Sequence, residues 1–162
     1  MLSMYNVLTG AEAPPVGGVQ PGSKNRLVTA ITTLAVTQAL HDGRIVLLSL
    51  LTGFTTTLPA ALGTGALYEF MIGIVRTSNS YIINTAGTDV FNGLVQIAPN
   101  SSTPGGSASF GSTANKTFTM NATTTGGLLI GDWVQCMDIQ SGVWAITGLL
   151  TGSGTLATPF SN

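Results

Sequence analysis

The stretch RIVLLSLLTGFTTTLP, Arg44 to Pro59, decides the fold. Its apolar half admits a membrane span, a buried helix or a strand. A span needs roughly 20 consecutive apolar residues. The run from Ile45 is broken by Ser49 and ends at Thr52-Gly53, so a span is excluded. A short apolar run framed by turn residues, here Asp42-Gly43 and Thr52-Gly53, reads as a strand. The threonine-rich FTTTLP that follows favours extended backbone, because β-branched side chains are stiff at χ1. The stretch therefore predicts two strands joined at Thr52-Gly53.

The same signal recurs along the chain. LVTAITTLAVT from Leu27 alternates and is rich in β-branched residues. His41 to Gly43 is a turn, and ALGTG, Ala61 to Gly65, is a flexible connector. ALYEFMIGIVRT is a long strand candidate whose Gly73 marks a bulge or a close backbone approach. SYIINTA, VFNGLVQIA and KTFTMNA are further strands. PNSSTPGGSASFGST is a polar loop, and TTTGG a turn. GDWVQCMDIQSGVWAITGLL reads as a hairpin turning near Gln140-Ser141-Gly142. About 8–10 short strands at this spacing predict an all-β fold, a sandwich or barrel of jelly-roll-like kind. No stretch keeps a helical period. LLTGFTTTLP (Leu50 to Pro59) echoes LLTGSGTLATP (Leu149 to Pro159), which suggests two equivalent strand-turn units.

Residues 1–27 differ from the β domain expected over 28–162. GAEAPPVGGVQPGSKN holds three of the seven prolines, so it forms neither helix nor central strand. It reads as an extended arm with an apolar tip: Leu2, Met4, Tyr5, Val7 and Leu8 are unusual in a disordered tail. Leu2, Tyr5, Val7 and Leu8 are the expected partner contacts. The tip has no basic n-region followed by an apolar core, so no secretory signal is expected.

The 162 residues are enough for one domain with a real core. Only 7% are charged, 44% are hydrophobic, and there are 21 Gly and 24 Thr. An average soluble domain carries about 25% charged residues. So little charge leaves a free monomer prone to association, and oligomerisation is expected. Net charge is −1 with scattered cations, which disfavours nucleic-acid binding.

The chemistry expected is sparse. His41 is the one histidine and sits in a turn sequence without a nucleophile-elbow pattern. Asp132 and Asp138 share strand parity but lie about 20 Å apart along an extended strand. Cys136 stands alone, so no internal disulfide forms, and it reads as a core residue. One His and one Cys are too few for a zinc site, which leaves calcium held by Asp side chains as the metal alternative. No metal, cofactor or catalytic residue is expected. The Asn-x-Ser/Thr matches at Asn100, Asn115 and Asn121 are those expected by chance.

Three stretches carry a resemblance: GFTTTLPAALGTGALYEFMIG, SNSYIINTAGTDVFNGLVQIA and GDWVQCMDIQSGVWAITGLLTGSGTLATPFS. In this order they resemble small virion proteins of tailed bacteriophages, described as head decoration or cement proteins. The most specific part is Gly131-Asp132-Trp133 followed by Gly142, Trp144 and Gly148. The resemblance implies a β-rich homotrimer on the outer surface of the head, with the major capsid protein as partner. It implies no catalytic residue. The alternative is a receptor- or glycan-binding module of a phage fibre, with Trp133, Trp144 or Tyr68 stacking on a sugar.

Overall fold

A computed structural model of the chain describes residues 26–100 and 106–162. The expected contacts Leu2, Tyr5, Val7 and Leu8 lie outside the described residues.

Among the described residues, twelve strands form a seven-stranded and a five-stranded sheet. The large sheet runs β1 (Leu27–Ala30), β3 (Arg44–Leu48), β5 (Leu67–Ile72), β10 (Trp133–Gln140), β11 (Val143–Gly152), β7 (Val90–Pro99), β8 (Ala108–Asn115). The small sheet runs β12 (Phe160–Ser161), β9 (Thr117–Met120), β6 (Tyr81–Asn84), β4 (Thr55–Thr57), β2 (Leu34–Ala35). Helix is limited to α1, Gln38–His41. The expected all-β sandwich is the observed architecture.

The connectivity is not the antiparallel succession of a jelly roll. The first six strands alternate between the sheets, so β1, β3 and β5 pair in parallel in one sheet and β2, β4 and β6 in the other. The Arg44–Pro59 stretch does form two strands, but Ser49 to Phe54 carries the chain across the core and does not fold a hairpin. LVTAITTLAVT likewise divides into β1 and β2 around Ile31 to Thr33. In the opening stretch the apolar RIVLL goes to the wide sheet and the short TTT to the narrow one.

The hairpin of β10 and β11 is as expected, with Trp133 opposite Leu149 and Asp138 opposite Trp144. The polar loop expected over Pro99–Thr113 is shorter, because β8 already begins at Ala108 and pairs antiparallel with β7. Alternation along SASFGST is sufficient for a strand once β7 offers a free edge. β5 stops before Gly73, where a Cβ would stand 2.5 Å from Leu47 Cγ and Ser49 Oγ, so the close approach is real. The Leu-Leu-Thr-Gly echo marks two crossings from the large sheet to the small one, β3 to β4 and β11 to β12. The copies are offset, since Leu149 and Leu150 lie inside β11 whereas Leu50 and Leu51 follow β3.

The core lies between the sheets. Val46, Leu48, Tyr68, Phe70, Ile72, Val134, Cys136 and Trp144 face it from the large sheet; Tyr81, Ile83, Phe118 and Met120 face it from the small one. Phe160 bridges the layers, 5.2 Å from Phe118 and 6.5 Å from Phe91 between ring centroids. Each such side chain contributes about 1.5–3 kcal/mol on burial.

Candidate binding surface

Four aspartates work as clips on loops. Asp138, on the inward face of β10, accepts hydrogen bonds from the N–H groups of Leu62 (3.1 Å), Gly63 (2.7 Å) and Thr64 (2.9 Å) and from the Thr64 hydroxyl (2.7 Å). The connector Ala61–Gly65 is thus pinned along its length. Burial pushes the Asp138 carboxyl up, but the bonds from Thr64, Gly63 and Leu62 outweigh it and hold the group below its ordinary value. Asp132 accepts from Thr151 N–H (2.8 Å), Thr151 Oγ1 (3.1 Å) and Leu129 N–H (3.3 Å). Asp89 accepts from Ala61 N–H (2.7 Å), and Asp42 from Leu67 N–H (2.9 Å). Asp138 lies in β10 whereas Asp132 immediately precedes that strand, and each serves a different end of the sandwich.

His41 is buried, and its Nδ1 accepts the Thr37 N–H at 3.0 Å within its own helical turn. Cys136 is buried, and burial pushes its thiol pKa well up, which keeps it protonated and unreactive. Among the described residues no group of three or more His, Cys, Asp or Glu side chains is placed to hold a metal ion. No described helix is long and apolar enough to cross a membrane.

Of the three aromatic residues that the alternative reading sets against a sugar, two are core. Tyr68 and Trp144 are fully buried with ring centroids 5.5 Å apart. Burial, then the charges of Asp42 and Asp138, push the Tyr68 phenol up to about 12. Trp133 is half-buried and lines an open groove of about 300 Å³ with Gln96, Ala98, Leu149 and Thr151.

The most distinctive surface is one end of the sandwich. The loops there connect β1 to β2, β3 to β4, β5 to β6 and β9 to β10. They present Ile31, Leu51, Ile74, Leu129 and Ile130 to solvent, with Ile130 72% exposed. Backbone bonds hold these loops side by side: Ser49 N–H to Ala30 O, Ile74 N–H to Leu48 O, Thr77 N–H to Leu51 O and Gly131 N–H to Ile72 O. The Tyr81 hydroxyl braces them from beneath, 2.7 Å from Leu50 O and 3.0 Å from Ile74 O. The described loops of this end carry two charged residues, Arg76 and the internally bonded Asp132. The opposite end exposes Leu40 and Leu62. The sequence signal for the apolar end is Leu128-Leu129-Ile130 inside a glycine-rich turn region, where polar residues are the rule.

No family model matches this chain, and neither a curated protein nor a solved structure does.

Proposed function

We propose that this chain is a structural virion protein, a decoration or cement protein. In this reading it binds the outer surface of a bacteriophage head at capsomer junctions and stabilises the shell. Its partners are the major capsid protein and further copies of itself, as a trimer. The observation that carries the reading is the apolar end formed by Ile31, Leu51, Ile74, Leu129 and Ile130. Exposed apolar residues grouped on loops that are bonded side by side are the kind of surface that marks an interaction site. The resemblance of the three sequence stretches supplies the partner. The acids spent as loop clips fit a protein that works by adhesion. In the same reading, Leu2, Tyr5, Val7 and Leu8 are the further contacts that the sequence offers to the partner.

Sedimentation with heads assembled without this chain tests the proposal. The wild-type protein is expected to co-sediment saturably. The Leu51→Asp/Ile130→Asp double variant, changed at exposed positions, is expected to bind at least tenfold more weakly with an unchanged circular dichroism spectrum. Equal binding by the variant, or no binding by the wild type, contradicts the proposal.

A second reading, a glycan-binding module, is favoured by Trp133 in its open groove beside Gln96 and Thr151. Binding on a glycan array that Trp133→Ala abolishes would select it over the first.

A further inference from the structure

The outer face of the large sheet is apolar where a solvated sheet face is polar. Strands with one wet face alternate, while strands covered on both faces read as near-continuous apolar runs. β3, β5 and β10 belong to the second kind: Ile45, Leu47, Leu67, Met71, Trp133 and Met137 occupy outward positions. The pairing register sets them in rows across the sheet. One row runs Leu47, Met71, Trp133, Leu149, Gln96. The next runs Ile45, Glu69, Gln135, Thr147, Leu94. Leu94 is 54% exposed, Leu149 53% and Met137 40%. β8 continues the two rows with Ser109 and Gly111, so the apolar centre has a polar border on that side.

We infer that this face pairs with the same face of a second copy about a twofold axis. The contact goes beyond the proposed function and does not rest on its trimer. Size supports it. The strands β3, β5, β10, β11 and β7 lie about 4.8 Å apart and average about 26 Å in length, a flat footprint of about 600 Å². Side chains standing off that plane raise the accessible area towards the roughly 800 Å² per partner of a stable interface. Charge supports it too. Glu69 is the one charge among the outward positions of these five strands, and it shares a shallow recess with Arg26 and Arg44, so the border of the face carries both signs. A twofold contact sets one patch against itself, so the same apolar rows are covered in both copies. The axis runs along β10, the middle strand of the five. About that axis Met71 meets Leu149 of the second copy, Ile45 meets Leu94, and Glu69 meets Thr147 rather than another Glu69. The groove of about 300 Å³ beside Trp133 gives the two indoles room to pass one another. An axis along the strands keeps their directions, so the loop ends with Leu51 and Ile130 lie on the same side of the pair and stay available to the head.

Light scattering of the purified full chain at micromolar concentration tests the inference. The wild type is expected at an even number of chain masses. Met137→Lys/Leu149→Lys, which puts two like charges per copy into the contact, is expected to halve that mass with an unchanged circular dichroism spectrum. Should the lysine pair disturb the spectrum, Leu94→Gln replaces it and is expected to raise the dissociation constant of the pair at least tenfold. Leu51→Asp/Ile130→Asp is expected to keep the wild-type mass. A bismaleimide spanning about 10 Å, the distance between packed sheets, is expected to join two Gln135→Cys chains on the axis. It is expected to leave Gln96→Cys chains, two strands off the axis, single, while the buried Cys136 stays unreactive. A wild-type mass of an odd number of chains, a folded face variant that pairs as tightly as the wild type, or Gln135→Cys chains that stay single overturns the inference. Wild-type protein that is unpaired yet binds heads sinks this contact alone. Paired protein that binds no head sinks the proposed function alone.

Discussion

Gly53 sits at the turn that sends the chain from one sheet to the other, with φ +65°. A Cβ there would lie 2.6 Å from the carbonyl oxygen of Ser80. An L-residue pays roughly 1–2 kcal/mol for left-handed backbone, and the overlap adds to it. Gly53→Ala is therefore expected to lower stability by about 3 kcal/mol, read as a lower urea midpoint with an unchanged slope. An unchanged midpoint would show that the crossing does not depend on this residue. The need for a turn at Thr52-Gly53 was legible in the sequence, because glycine after threonine between two apolar runs has few other uses. What the turn does was not legible. A hairpin and a crossing share the same local signal and differ only in which distant strand receives the next segment. Tyr68 and Trp144 were ambiguous for a related reason: an aromatic side chain is equally suited to a core and to a sugar, and its strand parity decides between them.

At the scale of elements, the loop Ala61–Gly65 and β10 form one unit through Asp138. Removing the carboxylate in Asp138→Ala leaves the N–H groups of Leu62, Gly63 and Thr64 without their acceptor. Hydrogen bonds to a charged group contribute about 1.5–3 kcal/mol, so a loss of about 3 kcal/mol at pH 7 is expected. The pH dependence follows from the depressed pKa. A carboxyl whose pKa is lower folded than unfolded stabilises fully above its unfolded value, about 3.9, and loses that contribution as pH falls through the folded value. Urea midpoints of wild type and Asp138→Ala should thus differ at pH 7 and converge towards pH 2. A constant difference across that range would mean that the loop is held by something other than the ionised group. The β10–β11 hairpin was legible because Gln140-Ser141-Gly142 is turn chemistry between two alternating runs. The clip was not legible, since Asp138 meets its partners across a sequence separation of more than 70 residues. The parallel pairs of β1 with β3 and β3 with β5 escaped for the same reason: each partner is the next strand but one.

At the scale of the molecule, a low charge fraction and apolar residues on both parities of the central strands point the same way. Both are the features on which the proposed association rests. The composition made association an expectation; the register of the large sheet and the grouping of loops at one end offer candidate surfaces for it. The central claim is that the chain is a shell-bound assembly protein. Cryo-electron microscopy of the native particle tests it most directly. The account predicts density for this domain on the outer surface of the head, in threefold clusters, with Leu51 and Ile130 turned towards the shell. A bare head, with the same domain found on a fibre or tail tip, would contradict it.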